Sequence, residues 1–229
     1  MNLSEHYAAM REATMHRLLH EGADPDLLLH SPQDDRRGLT LLARPPASIT
    51  TVIEAILADF RHLEPAQYYY PASDIHLTIL SLISCYPGFT LAQIDPAPYR
   101  RALQDITRLA QPFRIRYEGL TASPGGIMVQ GFPEDEGLEE LREATRTFFR
   151  ASRLQQSIDT RYSIHTAHST VIRFTRPLTD APMLVARLAQ YQEQFIGTFA
   201  VDAVELVFND WYQRARTTVL LGTYPLGRP

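Results

Sequence analysis

The chain has 229 residues and a formal net charge of −4, and all 22 of its basic residues are arginine. This length is enough for one large core or two smaller ones, and 45% hydrophobic with 21% charged residues is ordinary for a globular protein. The negative net charge argues against a protein that scans long nucleic acids. The absence of lysine excludes Schiff-base, P-loop and lysyl-adenylate chemistry.

Residues 1–38 are predicted to form a helical extension ahead of the main domain. Apolar positions recur at helical spacing over residues 3–20, and turn-forming residues follow them. The extension lacks the apolar core of a signal peptide, and no apolar run in the chain approaches the ~20 residues of a membrane span. The single cysteine, Cys85, excludes an intrachain disulfide. We therefore expect a cytoplasmic, monomeric protein that does not enter the membrane.

The regular part of the chain begins at residue 39 and falls into two halves. The first half is predicted to contain a strand, a helix, a strand, a helix and a two-stranded hairpin, over residues 39–43, 48–60, 75–84, 96–110, 112–120 and 127–132. The second half is predicted to contain a helix, a strand, a helix and a hairpin, over residues 135–150, 166–174, 181–195, 198–208 and 216–224.

The strands over 75–84 and 166–174 are followed by the same order of elements, a helix and then a hairpin. This repeat predicts an α+β fold that is bilobal, with two pseudo-symmetric antiparallel β-sheets lining a central cleft and helices on the outside. We expect a single domain over residues 39–229, with lobes at about 39–132 and 133–229.

A short polar motif lies on each of these two strands. The first motif is HLTI at residues 76–79, and the second motif is HSTV at residues 168–171. Alternate side chains of a strand share a face, so the histidine and threonine of each motif can reach one bound anion. The candidate catalytic residues are therefore His76, Thr78, His168 and Thr170.

Two imidazoles on opposite sides of a phosphorus atom can carry out acid–base catalysis. The ordinary histidine pKa is about 6.5, so one ring can be neutral and accept a proton while the other is protonated and donates one. The two threonine hydroxyls can bind the non-bridging oxygens. This chemistry requires no metal and no cofactor, and we predict neither.

These residues resemble the two-histidine (2H) phosphoesterase superfamily, which includes 2′,5′ RNA ligase-like proteins and cyclic phosphodiesterases. Its mark is two H-x-[ST]-x motifs with hydrophobic x, one on a strand of each lobe. The strand, proline pair and helix that begin at residue 39 also look like the start of that family. The resemblance implies a bilobal α+β fold, a metal-independent site and substrates with a 2′,3′-cyclic phosphate or a 2′,5′ linkage. Ser169 departs from the pattern because it is polar.

The leading hypothesis is a phosphodiesterase that acts on a small nucleotide or an RNA end carrying a cyclic phosphate, with reversible ATP-independent ligation as a further activity. Two other classes of function stay open. One is a nucleotide-binding module that catalyses no reaction. The other is a protein-interaction domain with structural histidines, for which the N-terminal helix would be the docking element.

Five further residues are weighed for the site. Tyr86 lies an even number of residues after His76, so it is a candidate for binding substrate by stacking on a base; the alternative is a turn tyrosine that covers the core. Arg114 and Arg116 share a strand face that is predicted to be solvated. Strand parity places Arg173 on the face away from the second motif, and His165 is predicted to be structural for the same reason.

Overall fold

The computed structural model describes residues 2–161 and 163–227, in which the chain forms five α-helices and nine β-strands. Residue 162 and the last two residues of the predicted domain lie outside this part. The helices are α1 (Leu3–His20), α2 (Ala47–Leu63), α3 (Pro96–Leu109), α4 (Gly137–Ala151) and α5 (Ala181–Gln190). The strands are β1 (Arg37–Ala43), β2 (Tyr68–Tyr69), β3 (Leu77–Tyr86), β4 (Phe113–Ser123), β5 (Gly126–Pro133), β6 (Ser169–Arg173), β7 (Phe195–Val201), β8 (Ala203–Asp210) and β9 (Val219–Pro225).

The strands form two antiparallel sheets, which confirms the predicted α+β class. The first sheet has the order β3-β1-β8-β9, and the second sheet has the order β2-β6-β5-β4-β7. The hairpin β4–β5 pairs with β6, and the hairpin β8–β9 pairs with β1. Each sheet therefore takes strands from both predicted lobes, and the predicted boundary at residue 132 does not divide the sheets.

Two predicted elements of the second half differ in the structure. The single strand predicted over residues 198–208 is two strands, β7 and β8, which are separated at Asp202 and belong to different sheets. Apolar residues flank Asp202 on both sides, as they would in one long strand, so the apolar run alone does not locate the break. The helix predicted over residues 181–195 ends at Gln190, because the chain from Phe195 onwards pairs with β4 as a strand.

The helices pack on the sheets through apolar faces. In α2, Ile49, Ile53, Leu57 and Phe60 are buried, and their spacing of three or four residues places them on one side of the helix. The helix follows a proline pair, and its N-cap is Pro46, which offers no side-chain hydrogen bond to the first turn. No helix in residues 2–161 and 163–227 is long and apolar enough to cross a membrane.

The buried Tyr7 side chain connects the N-terminal helix to the second sheet. The helix predicted over residues 3–20 is confirmed as α1, and its Tyr7 is fully buried. The Tyr7 hydroxyl donates to the backbone carbonyl of Gly131 in β5 at 3.3 Å. It also accepts from the backbone N–H of Ala167 at 3.2 Å. The helix therefore contacts the segment that leads directly into the second motif.

Bulges in the two motif strands change which residues face the interior. In β6, Thr170 pairs with Met128 and Ile172 pairs with Ile127, so Val171 is an extra residue in the strand. In β3, the pairing with β1 shifts at three places. Each extra residue reverses the alternation of side chains that follows it. Counting alternate residues therefore tells correctly which side chains share a face within each motif, but not for the residues that follow the motif.

Candidate active site

A cavity of about 280 Å³ lies between the two sheets and is lined by both motifs. His76 and Thr78 line it from the end of the first sheet, and His168 and Thr170 line it from the second sheet. Each histidine stands immediately before its strand, so the strand start fixes its backbone. The structure thus brings the four predicted residues to one cavity, called the cleft below.

The His76 ring is oriented by the backbone that precedes it. Its Nδ1 lies 2.8 Å from the carbonyl oxygen of Asp74. Because a carbonyl only accepts, Nδ1 carries the proton and donates, which leaves Nε2 of the neutral ring as the base. Asp74 is itself held by the backbone N–H of Ala215, which donates to its carboxylate at 3.0 Å.

The His168 ring is held by a side chain, and that side chain belongs to a buried arginine network. Nδ1 of His168 lies 2.7 Å from the Thr166 hydroxyl. The carbonyl of Thr166 accepts from Nη2 of Arg142 at 2.8 Å. Arg142, on α4, also donates to the carbonyls of Thr78 and Ile79 at 3.2 and 2.9 Å. One guanidinium therefore connects the first motif to the residue that positions the second histidine.

Ser169, the polar residue of the second motif that departs from the family pattern, connects that motif to the first. The Ser169 hydroxyl donates to the backbone carbonyl of His76 at 2.5 Å. The Tyr117 hydroxyl lies 2.6 Å from the Ser169 oxygen, and it is the donor because the serine proton is already used. Ser169 faces away from the cleft, as parity predicts, and it links the two sheets at the site.

Burial lowers the pKa of both histidines. The pKa of His76 is lowered to about 4 by burial, although the bond to the Asp74 carbonyl opposes this shift. The pKa of His168 is also lowered to about 4 by burial, with further lowering by His76, Arg142 and Arg173. Both rings are therefore neutral near pH 7. A bound phosphate anion would favour protonation of one of them.

Arg173 lines the cleft, and the sequence-based interpretation of this residue is wrong. The extra residue Val171 in β6 reverses the parity, so the arginine comes to the same side as His168 and Thr170. Its Nε donates to the Tyr70 hydroxyl at 3.4 Å. No sequence signal marks the bulge, so parity could not find this residue. Arg161 is a second arginine of the cleft lining that sequence reasoning missed.

Tyr86 does not belong to the residues that line the cleft. Its ring packs against Phe89 with centroids 5.1 Å apart, and its hydroxyl accepts from Gln155 at 3.0 Å. The three register shifts along β3 explain the difference, because they break the parity that connects Tyr86 with His76. Ser81 and Ser84 line the cleft from this strand instead.

The other weighed residues also lie outside the cleft lining. Arg114 pairs with Glu134 at 3.0 Å, and Arg116 pairs with Glu118. His165 is exposed. In residues 2–161 and 163–227, no group of three or more His, Cys, Asp or Glu side chains lies close enough together to hold a metal ion.

Comparison with known proteins identifies the fold. TT0787 of Thermus thermophilus is 20% identical with a TM-score of 0.57, over 82% of this chain and 97% of that one. Escherichia coli LigT complexed with 3′-AMP is 17% identical with a TM-score of 0.55, over 84% and 99%. A structure described as a phosphoesterase is 19% identical with a TM-score of 0.54, over 84% and 99%.

No family model matches the sequence, and a search of curated proteins finds no significant match. The chain therefore shares the fold of TT0787, LigT and the phosphoesterase over more than four-fifths of its length, and the predicted resemblance is confirmed at the level of fold.

Proposed function

We propose that this protein is a metal-independent phosphodiesterase that acts on 2′,3′-cyclic phosphates or 2′,5′ linkages of nucleotides and RNA ends. The observation that carries the proposal is that two His/Thr pairs, one from each sheet, line one cavity together with Arg173. E. coli LigT, which shares the fold, has been crystallised with 3′-AMP. A 3′-monophosphate is one of the two monoesters that opening a 2′,3′-cyclic nucleotide can give.

The reaction needs one proton acceptor and one proton donor. A neutral imidazole takes a proton from water while the water oxygen bonds to phosphorus. The other imidazole, in its protonated form, gives its proton to the ribose oxygen as the P–O bond breaks. The products are a phosphate monoester and a free hydroxyl. His76 and His168 exchange these roles between the forward and reverse directions.

Three further side chains act on the phosphate itself. The hydroxyls of Thr78 and Thr170 donate to its non-bridging oxygens, and the Arg173 guanidinium opposes its negative charge. When a 5′ hydroxyl replaces water, the same proton transfers join two strands through a 2′,5′ linkage. Ligation of this kind uses no ATP, which agrees with a chain that has no lysine to adenylate.

The test is hydrolysis of 2′,3′-cyclic mononucleotides and short cyclic-ended RNAs by the wild type and the variants His76→Ala and His168→Ala. Each variant should lower kcat/KM by at least about 100-fold, and activity should persist in a chelator. His165→Ala is the matched control, because this exposed histidine lies outside the cleft lining. Full activity in either cleft variant, or loss of activity in chelator, would contradict the mechanism. Tight nucleotide binding without turnover would support the binding module instead.

A further inference from the structure

Two residues of the cleft lining each carry a buried acceptor atom that has no partner in the described part of the chain. In residues 2–161 and 163–227, four buried side-chain nitrogen or oxygen atoms lack a hydrogen bond, and two of them are Oδ1 of Asn209 and Oε1 of Gln213. Both residues line the cleft, and they are only 1% and 6% exposed. A buried acceptor without a donor destabilises the fold. A ligand that donates to these oxygens would remove this penalty.

The orientation of Asn209 follows from its other contact. Its Nδ2 donates to the backbone carbonyl of Asp210 at 2.8 Å. Because a carbonyl cannot donate, the amide nitrogen must occupy this position, and the oxygen is the atom left unpaired. Gln213 has a positive φ of 59°, a conformation that is uncommon outside glycine and often found where function requires it.

The segment that presents these amides is held rigidly from its other side. The buried carboxylate of Asp210 accepts from the backbone N–H of Tyr212 at 3.0 Å and from that of Arg214 at 3.1 Å. It also accepts from the Thr217 hydroxyl at 2.8 Å. Residues 209, 211 and 213 line the cleft, whereas 210 and 212 do not. The segment is thus preorganised, which favours discrimination between ligands.

The proposed substrates have few groups that could donate to these oxygens. In a 2′,3′-cyclic nucleotide the phosphate and both esterified ribose oxygens carry no proton, so the donors are the 5′ hydroxyl and the base. Adenine, cytosine and guanine carry an exocyclic amino group. Uracil instead has one ring N–H between two carbonyls, and those carbonyls would face the amide oxygens unfavourably.

We infer that Asn209 and Gln213 form a nucleobase subsite that selects bases with an exocyclic amino group. The inference rests on the proposed function, because it assumes that the phosphate lies at the two motifs. Cytidine and uridine 2′,3′-cyclic phosphates are the matched pair of substrates, since their rings have the same size and differ only at position 4, amino group or carbonyl, and at N3, which carries a proton in uracil alone.

The experiment compares kcat/KM for these two substrates. The wild type should favour the cytidine substrate by about 10-fold or more. Gln213→Met keeps the length of the side chain and removes the acceptor, so the preference should fall to about 3-fold or less. Gln213→Glu retains acceptor oxygens and should keep the preference. Gln104→Met is the control, since Gln104 is exposed on α3 outside the cleft.

Asn209→Leu tests the second acceptor, although it also removes the bond to the Asp210 carbonyl. Gln213→Met breaks no hydrogen bond of the described structure, so it keeps the test valid if the Asn209 variant does not fold. Equal kcat/KM for the two substrates in a wild type that depends on His76 would overturn the subsite and leave the proposed function intact. Absence of any turnover would overturn the proposed function. Calorimetry with 3′-CMP and 3′-UMP then decides the subsite, and equal affinities would overturn it.

Discussion

The Ser169 hydroxyl donates a 2.5 Å hydrogen bond to the backbone carbonyl of His76, which joins the second motif directly to the first. Tyr117 donates in turn to the serine oxygen, and both Tyr117 and Ser169 are buried. The two histidines stand at the starts of strands in different sheets. This chain of hydrogen bonds therefore sets the distance between the two halves of the candidate site.

Ser169→Ala should lower the free energy of unfolding by about 1–3 kcal/mol, because it leaves the His76 carbonyl and the Tyr117 hydroxyl without a partner. It should also lower kcat/KM for a cyclic nucleotide, because the separation of the motifs is no longer fixed. Urea unfolding and steady-state kinetics measure the two effects. Ser48→Ala, at an exposed position of α2, is the control. A Ser169 variant as stable as the wild type would contradict the prediction.

Thr166→Val should lower kcat by about 10-fold with little change in KM, because the hydroxyl at Nδ1 of His168 is lost while the shape of the side chain is kept. Thr166→Ser should restore most of the activity, since it retains the hydroxyl. Steady-state kinetics with a 2′,3′-cyclic nucleotide provide the measurement. Thr51→Val, on the exposed side of α2, is the matched control. Equal losses in the valine and serine variants would show that the hydroxyl has no role.

The value of kcat/KM should decrease as the pH rises from 5 to 8, by about 10-fold per pH unit at the upper end. The reaction needs one neutral and one protonated histidine, and burial lowers the pKa of both His76 and His168 to about 4. The protonated fraction of the free protein therefore falls tenfold for each unit above that range. Initial rates at low substrate concentration give the profile. A maximum of kcat/KM near pH 7 would contradict the lowered values.

The stability of the fold should decrease as the pH falls from about 6.5 towards 4. In this window the unfolded chain, whose histidines have a pKa of about 6.5, binds protons that the folded His76 and His168 do not. The stabilisation is complete above about pH 6.5 and is lost as the pH falls. Each of these histidines contributes a slope of up to about 1.4 kcal/mol per pH unit.

Chemical unfolding at several pH values measures this slope in the wild type and in His168→Gln. The variant should lose part of the slope, whereas His62→Gln should keep it, because His62 is exposed outside the cleft lining. Identical slopes in the wild type and His168→Gln would show that His168 takes up its proton equally in the folded and unfolded chain.

Regular alternation explains why most of the secondary structure could be predicted from the sequence. Both motif strands, the helix over residues 48–60 and the hairpin of the first half follow from apolar periods of two and 3.6 residues. The four motif residues could also be identified, because the histidine and threonine of each motif are only two positions apart in the sequence. The prediction failed at Asp202, where one mainly apolar run forms two strands that belong to different sheets.

The sequence by itself determined the α+β class and the pairs His76 with Thr78 and His168 with Thr170, because these depend on neighbours within a few residues. Only the tertiary structure decided which hairpin joins which sheet, so that each sheet contains strands from both halves of the chain. It also decided that Arg173 and Asn209 line the cleft. These features depend on strand register and on contacts between residues far apart in the chain. A single extra residue in a strand reverses the facing of every side chain after it, and no local pattern records that residue.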